Sequence, residues 1–169
     1  MKQIYLIKKL YLVNKKYESL DVKAFIDDKS ALEYIDNEIE MYKKESSKYK
    51  GFSVWDEGFK TSIFNYYGTH DIHFDAELMS IGDEVPDEIY VYTEVNTYDS
   101  GEICPHAIGC LTKEDAIKEL VKEVKYRDDE ECENHYWISD GDVEDGYVEL
   151  EDEYENISYL AYEKIKVQK

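Results

Sequence analysis

The chain has 169 residues and a mass of 20.0 kDa, room for one ordinary domain or two small ones. With 43% hydrophobic and 14% aromatic residues it is too apolar to be a disordered acidic tail. Its net charge of -20, from 20 Lys and Arg against 40 Asp and Glu, argues against direct binding of nucleic acid or of an anionic membrane.

The first thirteen residues are rich in Ile, Leu, Tyr and Val, with Lys8 and Lys9 inside the run. They read as a strand; there is no continuous apolar segment or small-residue cleavage site of a signal peptide. Val22–Ile26 reads as a short second strand. A helix is expected from Lys29 to Glu45, because Leu32, Ile35, Ile39 and Tyr42 recur at 3-4-3 spacing, with Asp27 or Asp28 as its N-cap. Strands are expected at Phe52–Trp55, Ser62–Tyr67 and Ile72–Leu78, with a turn at Tyr67-Gly68-Thr69. In the second half, strands around Ile89–Val91 and Gly109–Leu111 precede a helix opened by Thr112-Lys113-Glu114-Asp115, a capping-box pattern with Asp in place of Glu. Ile117, Leu120, Val121 and Val124 form its apolar stripe. Strands follow at Tyr136–Ser139, Gly146–Glu151 and Ile157–Val167, with turns expected at Asp140-Gly141 and Asp145-Gly146.

Shifting the chain on itself by 85 positions keeps the apolar residues in phase without a gap. Ile4, Leu6, Phe25, Ala31, Ile35 and Ile63 fall on Ile89, Val91, Cys110, Ala116, Leu120 and Val148. The expected fold is therefore α+β, two tandem β-β-α-β-β(-β) repeats over residues 1–84 and 85–169, each an antiparallel sheet with one helix on a face. No stretch approaches the roughly 18 consecutive apolar residues of a membrane span. Three Cys in no metal or disulfide pattern point to reduced thiols and a cytoplasmic location.

The acidity is regional. Residues 1–85 hold 12 basic and 16 acidic residues, whereas residues 86–169 hold 8 and 24. Fourteen carboxylates lie between Asp128 and Glu155 with no Lys or Arg among them. Such a one-signed field destabilises the compact state by self-repulsion, which calls for either a solubility role or a partner that wants negative charge. If the segment after Val148 is extended, Glu149, Glu151, Glu153 and Glu155 share one face at steps of about 6.6–6.8 Å. Proteins that grip the regularly spaced phosphates of a nucleic acid do so with Lys and Arg, and a stiff row of carboxylates fits the same basic groove. The candidate partner-binding residues are Glu130, Glu131, Asp140, Asp142, Glu144, Asp145, Glu149, Glu151, Glu153 and Glu155. Trp137, Tyr147 and Tyr154 are candidate aromatic anchors beside them.

On these residues the chain resembles the acidic DNA-mimic proteins of phages and mobile elements that block CRISPR or restriction enzymes. The resemblance is one of charge pattern over about a third of the chain, extended at most to Asp87, Glu88, Asp99 and Glu102. It implies a non-enzymatic inhibitor, monomer or homodimer, that occupies a basic nucleic-acid-binding host protein. The alternative is a protein-interaction module that binds through exposed Tyr and Trp and is acidic for solubility.

Other chemistries are weaker. Ser139–Gly146 with Glu151 has oxygens at alternate positions, but an EF-hand needs Gly where Asp145 stands. Cys104, His106, Cys110, Cys132 and His135 match no structural zinc spacing, so no metal or cofactor is expected. No nucleophile elbow, phosphate loop or metalloprotease helix motif occurs. The lysines at 8, 9, 15, 16, 43, 44, 48 and 50 are expected to balance local carboxylates.

Overall fold

The computed structural model describes residues 2–45, 52–65, 70–127 and 136–169. They form two compact units, residues 1–87 with 166–169 and residues 88–165, in an α+β arrangement with two helices.

In the first unit β1 (Lys2–Val13) and β2 (Lys16–Phe25) precede α1 (Asp28–Glu45), and β3 (Phe52–Glu57), β4 (Lys60–Asn65) and β5 (His70–Ile81) follow it. The sheet order is β3-β4-β5-β1-β2, antiparallel throughout. β2 is twice the length expected from Val22–Ile26. Val13 pairs with Lys16 across Asn14 and Lys15, both at positive φ (52° and 64°), so β1 and β2 form a tight hairpin. Lys at the second turn position hid this hairpin, since that place usually holds Gly.

Asp27 caps α1, accepting hydrogen bonds from the Ser30 amide and hydroxyl at 2.8 Å each. These bonds hold its carboxyl below the ordinary range. The helix buries Ala31, Ile35 and Ile39 against Ile7, Phe25, Ile63, Ile72 and Phe74. Full burial of each large aliphatic side chain is worth about 1.5–3 kcal/mol, and this stripe fixes the face the helix presents.

In the second unit β6 (Glu88–Thr97) and β7 (Ile103–Cys110) precede α2 (Lys113–Arg127), followed by β8 (Tyr136–Asp142), β9 (Tyr147–Asp152) and β10 (Ile157–Gln168). The sheet order is β8-β9-β10-β6-β7. Thr112 opens α2: its hydroxyl accepts the Asp115 amide at 3.1 Å and donates to the Asp115 carboxylate at 2.7 Å. Leu120 packs with Tyr92, Val148, Leu150 and Leu160, so α2 covers one face of this sheet. Cys110 is a buried free thiol that fills core space. The end of β10 belongs to the first unit, where Val167 and Gln168 pair in parallel with Ala24 and Phe25 of β2. Among the described residues no helix is long and apolar enough to cross a membrane.

A candidate partner-binding face on the second sheet

The β8–β9 hairpin is built by alternation. Along β9, Val148, Leu150 and Asp152 are buried on the α2 side, so Tyr147, Glu149 and Glu151 face the other way. The register with β8 places Trp137 opposite Glu151, Asp140 opposite Glu149 and Asp142 opposite Tyr147. On the other side of β9, Ile157 pairs with Glu151, Tyr159 with Glu149 and Ala161 with Tyr147. The outer face is therefore three rows, Trp137–Glu151–Ile157, Asp140–Glu149–Tyr159 and Asp142–Tyr147–Ala161. That face is buried along β6 at Ile89, Val91 and Val95, and it opens to solvent along β8.

The structure gathers Asp140, Asp142, Glu149, Glu151, Trp137 and Tyr147 on this one face. Glu144 and Asp145 lie in the turn 143–146 at one end of the hairpin, and Glu153, Tyr154 and Glu155 in the turn 153–156 at the other. A row of four alternating glutamates does not form. β9 stops at Asp152, so the two-residue ladder ends at Glu151. Asp152 enforces the stop: its buried carboxylate accepts the Tyr154 and Asn156 amides at 2.9 Å and the Asn156 side chain at 2.7 Å. Glu155 takes positive φ (61°) to close that turn. Glu130 and Glu131 lie outside the described residues.

Asp140-Gly141 is not a turn. β8 runs through it with a register irregularity between Ile138 and Asp140, and Gly141 sits at φ +82° inside the strand. A Cβ there would come within 2.3 Å of the Tyr147 carbonyl oxygen, so only glycine fits. Asp145-Gly146 does form a turn, as expected from its sequence. Asp140 accepts the Gly141 amide at 2.9 Å and Asp142 the Glu144 amide at 2.7 Å, which commits one oxygen of each carboxylate to the backbone. No group of three or more His, Cys, Asp or Glu among the described residues is placed to hold a metal ion.

Like charges directly across a strand pair, as at Asp140 and Glu149, are unfavourable. Two hydroxyls temper this: Ser139 donates to Glu149 Oε1 at 3.0 Å and Tyr147 to Oε2 at 3.1 Å. Burial, the hydrogen bond to Glu149 and the charge of Glu149 push the Tyr147 phenol far above its ordinary pKa. Burial and the same charge raise Tyr159. Both phenols therefore stay neutral hydrogen-bond donors over the physiological range. The nine carboxylates of residues 136–156 (Asp140, Asp142, Glu144, Asp145, Glu149, Glu151, Asp152, Glu153 and Glu155) have no Lys or Arg among them.

Sequence reasoning missed the network that pins the hairpin to its sheet. Arg127, the only arginine of the chain, ends α2 with its guanidinium almost wholly buried. It donates to Glu94 and to Ser158, both at 2.5 Å, and to Glu123 at 2.8 Å, and it lies 5.0 Å from the ring centre of Tyr136 at the start of β8. Ser158 passes the chain on to Asn96 at 2.7 Å. One cation thus ties α2 to β6, β8 and β10. The i,i+4 spacing of Glu123 and Arg127 was its one local signal.

Of the lysines expected to balance local carboxylates, three are seen to do so, while Lys48 and Lys50 lie outside the described residues. Lys8 pairs with Glu77 and Asp75, Lys9 with Glu38, and Lys43 with Glu40. His70 and His73 use opposite faces of β5: His70 lies beside the Tyr11 ring, while His73 Nδ1 shares a 2.9 Å hydrogen bond with the Ser62 hydroxyl.

No protein-family model matches the sequence, and no curated protein or solved structure matches it either.

Proposed function

We propose that this chain is a non-enzymatic inhibitor that works as a nucleic-acid mimic, occupying the basic groove of a host defence nuclease of the CRISPR or restriction type. The observation that carries the reading is the single-signed band on the β8–β9 hairpin. Asp140, Asp142, Glu149 and Glu151 project from one face, Glu144, Asp145, Glu153 and Glu155 cap its two ends, and no cation lies between residues 136 and 156. The six residues of β9 span about 20 Å, comparable to several phosphate steps along a duplex strand. The inner side of the hairpin is anchored by Val148 and Leu150 in the core, which favours a pre-organised band over a floppy acidic loop.

The repeat organisation belongs to the same proposal: one unit was duplicated and the second copy acquired the acidic face. Its support is that β3-β4-β5-β1-β2 and β8-β9-β10-β6-β7 are the same order of equivalent strands. Ile4 and Ile89, Ala31 and Ala116, Ile35 and Leu120, and Ile63 and Val148, each 85 apart, are also buried alike.

The test is capture of host proteins on the immobilised chain, followed by elution with salt or with duplex DNA. Mimicry expects nucleic-acid-binding proteins that leave as salt rises and that DNA displaces. The triple variant Asp140→Lys, Glu149→Lys, Glu151→Lys should lose them, with a fall of about 100-fold or more in affinity. Reversal at exposed Glu33, Asp36 and Asp83 of the first unit should change affinity by no more than about threefold. Partners that persist at high salt and ignore DNA would instead support an interaction module, a reading favoured by exposed Trp137, Ile138 and Tyr154.

A further inference from the structure

We propose that the outer face of the β8–β9 hairpin selects arginine over lysine, so that the partner is a protein surface bearing arginine side chains. This rests on the mimic reading and goes beyond its net charge. The face is an alternation of carboxylates and rings: Trp137 beside Glu151, and Glu149 between Asp140 and Tyr159 with Tyr147 hydrogen-bonded to it. Register partners across a strand pair have Cβ atoms about 4.5–5.5 Å apart, so the Trp137 indole and the Glu151 carboxylate reach the same ligand. Trp137 is 48% exposed on a strand whose later residues on that face, Asp140 and Asp142, are acidic.

A ring face next to a carboxylate is the chemistry that recognises a guanidinium. Its plane stacks on an aromatic ring while its edge donates two parallel hydrogen bonds to a carboxylate. A lysine ammonium is a compact, strongly hydrated charge that satisfies the carboxylate and gains less from the ring. The chain contains one instance of the same pairing in miniature: Arg127 lies over the Tyr136 ring while Glu94 and Glu123 receive its donors. A duplex phosphate groove lined only with lysine would meet the carboxylates and leave Trp137 idle. One lined with arginine uses both.

The experiment compares octa-arginine with octa-lysine, peptides of equal charge, titrated against the full chain at low and moderate salt. Octa-arginine should bind about five- to thirty-fold more tightly, the span a stacked cation contributes. Trp137→Leu, which keeps an apolar side chain at an exposed place, should erase that preference while leaving the salt dependence of both peptides intact. Tyr126→Ala, which removes an exposed ring elsewhere in the unit, should leave the preference unchanged. If Trp137→Leu fails to fold, Glu151→Gln supplies the second arm, and it should weaken octa-arginine more than octa-lysine. Equal affinity of the unaltered chain for the two peptides would overturn the arginine inference and leave the charge mimic standing. A preference that survives both variants would also overturn it. Failure to bind either peptide at low salt would overturn the mimic itself.

Discussion

The hairpins β3–β4 and β8–β9 hold the same place in their sheets, at the edge and after a helix, yet they differ in charge: residues 52–65 hold two acids and one Lys, residues 136–152 seven acids and no Lys or Arg. Each anchors its second strand in the core, by Ile63 in β4 and by Val148 and Leu150 in β9. β3–β4 closes tightly through Gly58 and Phe59, with Glu57 opposite Lys60, whereas β8–β9 closes through residues 143–146, two of which are acids. The sheet constrains every other residue and leaves the alternate ones free, so a hairpin can change its charge without disturbing the packing beneath it. The acids of β9 on this face, Glu149 and Glu151, occupy the alternate positions that the core packing leaves free.

The largest separation between the two units should come from their buried cations. Arg127→Met removes the cation beside Glu94, 13% exposed, and leaves it only the neutral donors Tyr92 and Asn96, which should cost about 3–5 kcal/mol in urea denaturation of the full chain. Lys8→Met should cost less, since its partners Asp75 and Glu77 are 42% and 24% exposed and can turn to water. A smaller cost for Arg127→Met than for Lys8→Met would mean that the hairpin is held by its apolar side alone.

The glycines of the two hairpins sharpen the comparison next. Gly141→Ala combines a left-handed backbone with a collision at the Tyr147 carbonyl, and should cost about 2–3 kcal/mol. Gly58→Ala meets nothing within 4 Å at φ +72°, and should cost only about 1 kcal/mol for the backbone alone. Matched unfolding curves for the two variants check the difference, and equal costs would show that the β8 irregularity relaxes freely.

The smallest effect concerns pH and falls on the first unit. Burial lowers the His73 pKa, with Asp71 opposing, so the unfolded chain takes up this proton more readily than the folded one. Stability from this group is complete above its unfolded value of about 6.5 and is lost as pH falls through the lower folded value. Amide protection factors in β4 and β5, taken against the intrinsic exchange rate at each pH, should fall between pH 7.5 and pH 5, and His73→Gln should flatten that trend.

Much of this was legible in the chain because periodicity is local. The 3-4-3 spacing of Leu32, Ile35, Ile39 and Tyr42 and the stripe around Leu120 announce helices, and the alternation around Val148 and Leu150 announces a strand. What escaped needed information that alternation does not carry. Asp140-Gly141 serves a turn or an in-strand irregularity equally well, since both ask for positive φ. Glu153 and Glu155 continue the rhythm of Glu149 and Glu151 into a turn, where it has no meaning, because Asp152 draws the following amides onto its own carboxylate. The Arg127 network joins residues 31 and 33 positions apart, beyond the reach of any window that reads neighbours.

The strand β10 passes from the second unit into the first, where the Ile26 amide donates to the Gln168 carbonyl at 3.2 Å. Residues 166–169 leave the ribosome only after all of the second unit. Until they arrive, the β2 margin at Ala24 and Phe25 lacks its neighbour and is open to pairing with other chains. Final closure of the earlier-made half thus waits on the later one, and nascent chains halted before β10 should be the aggregation-prone species during synthesis.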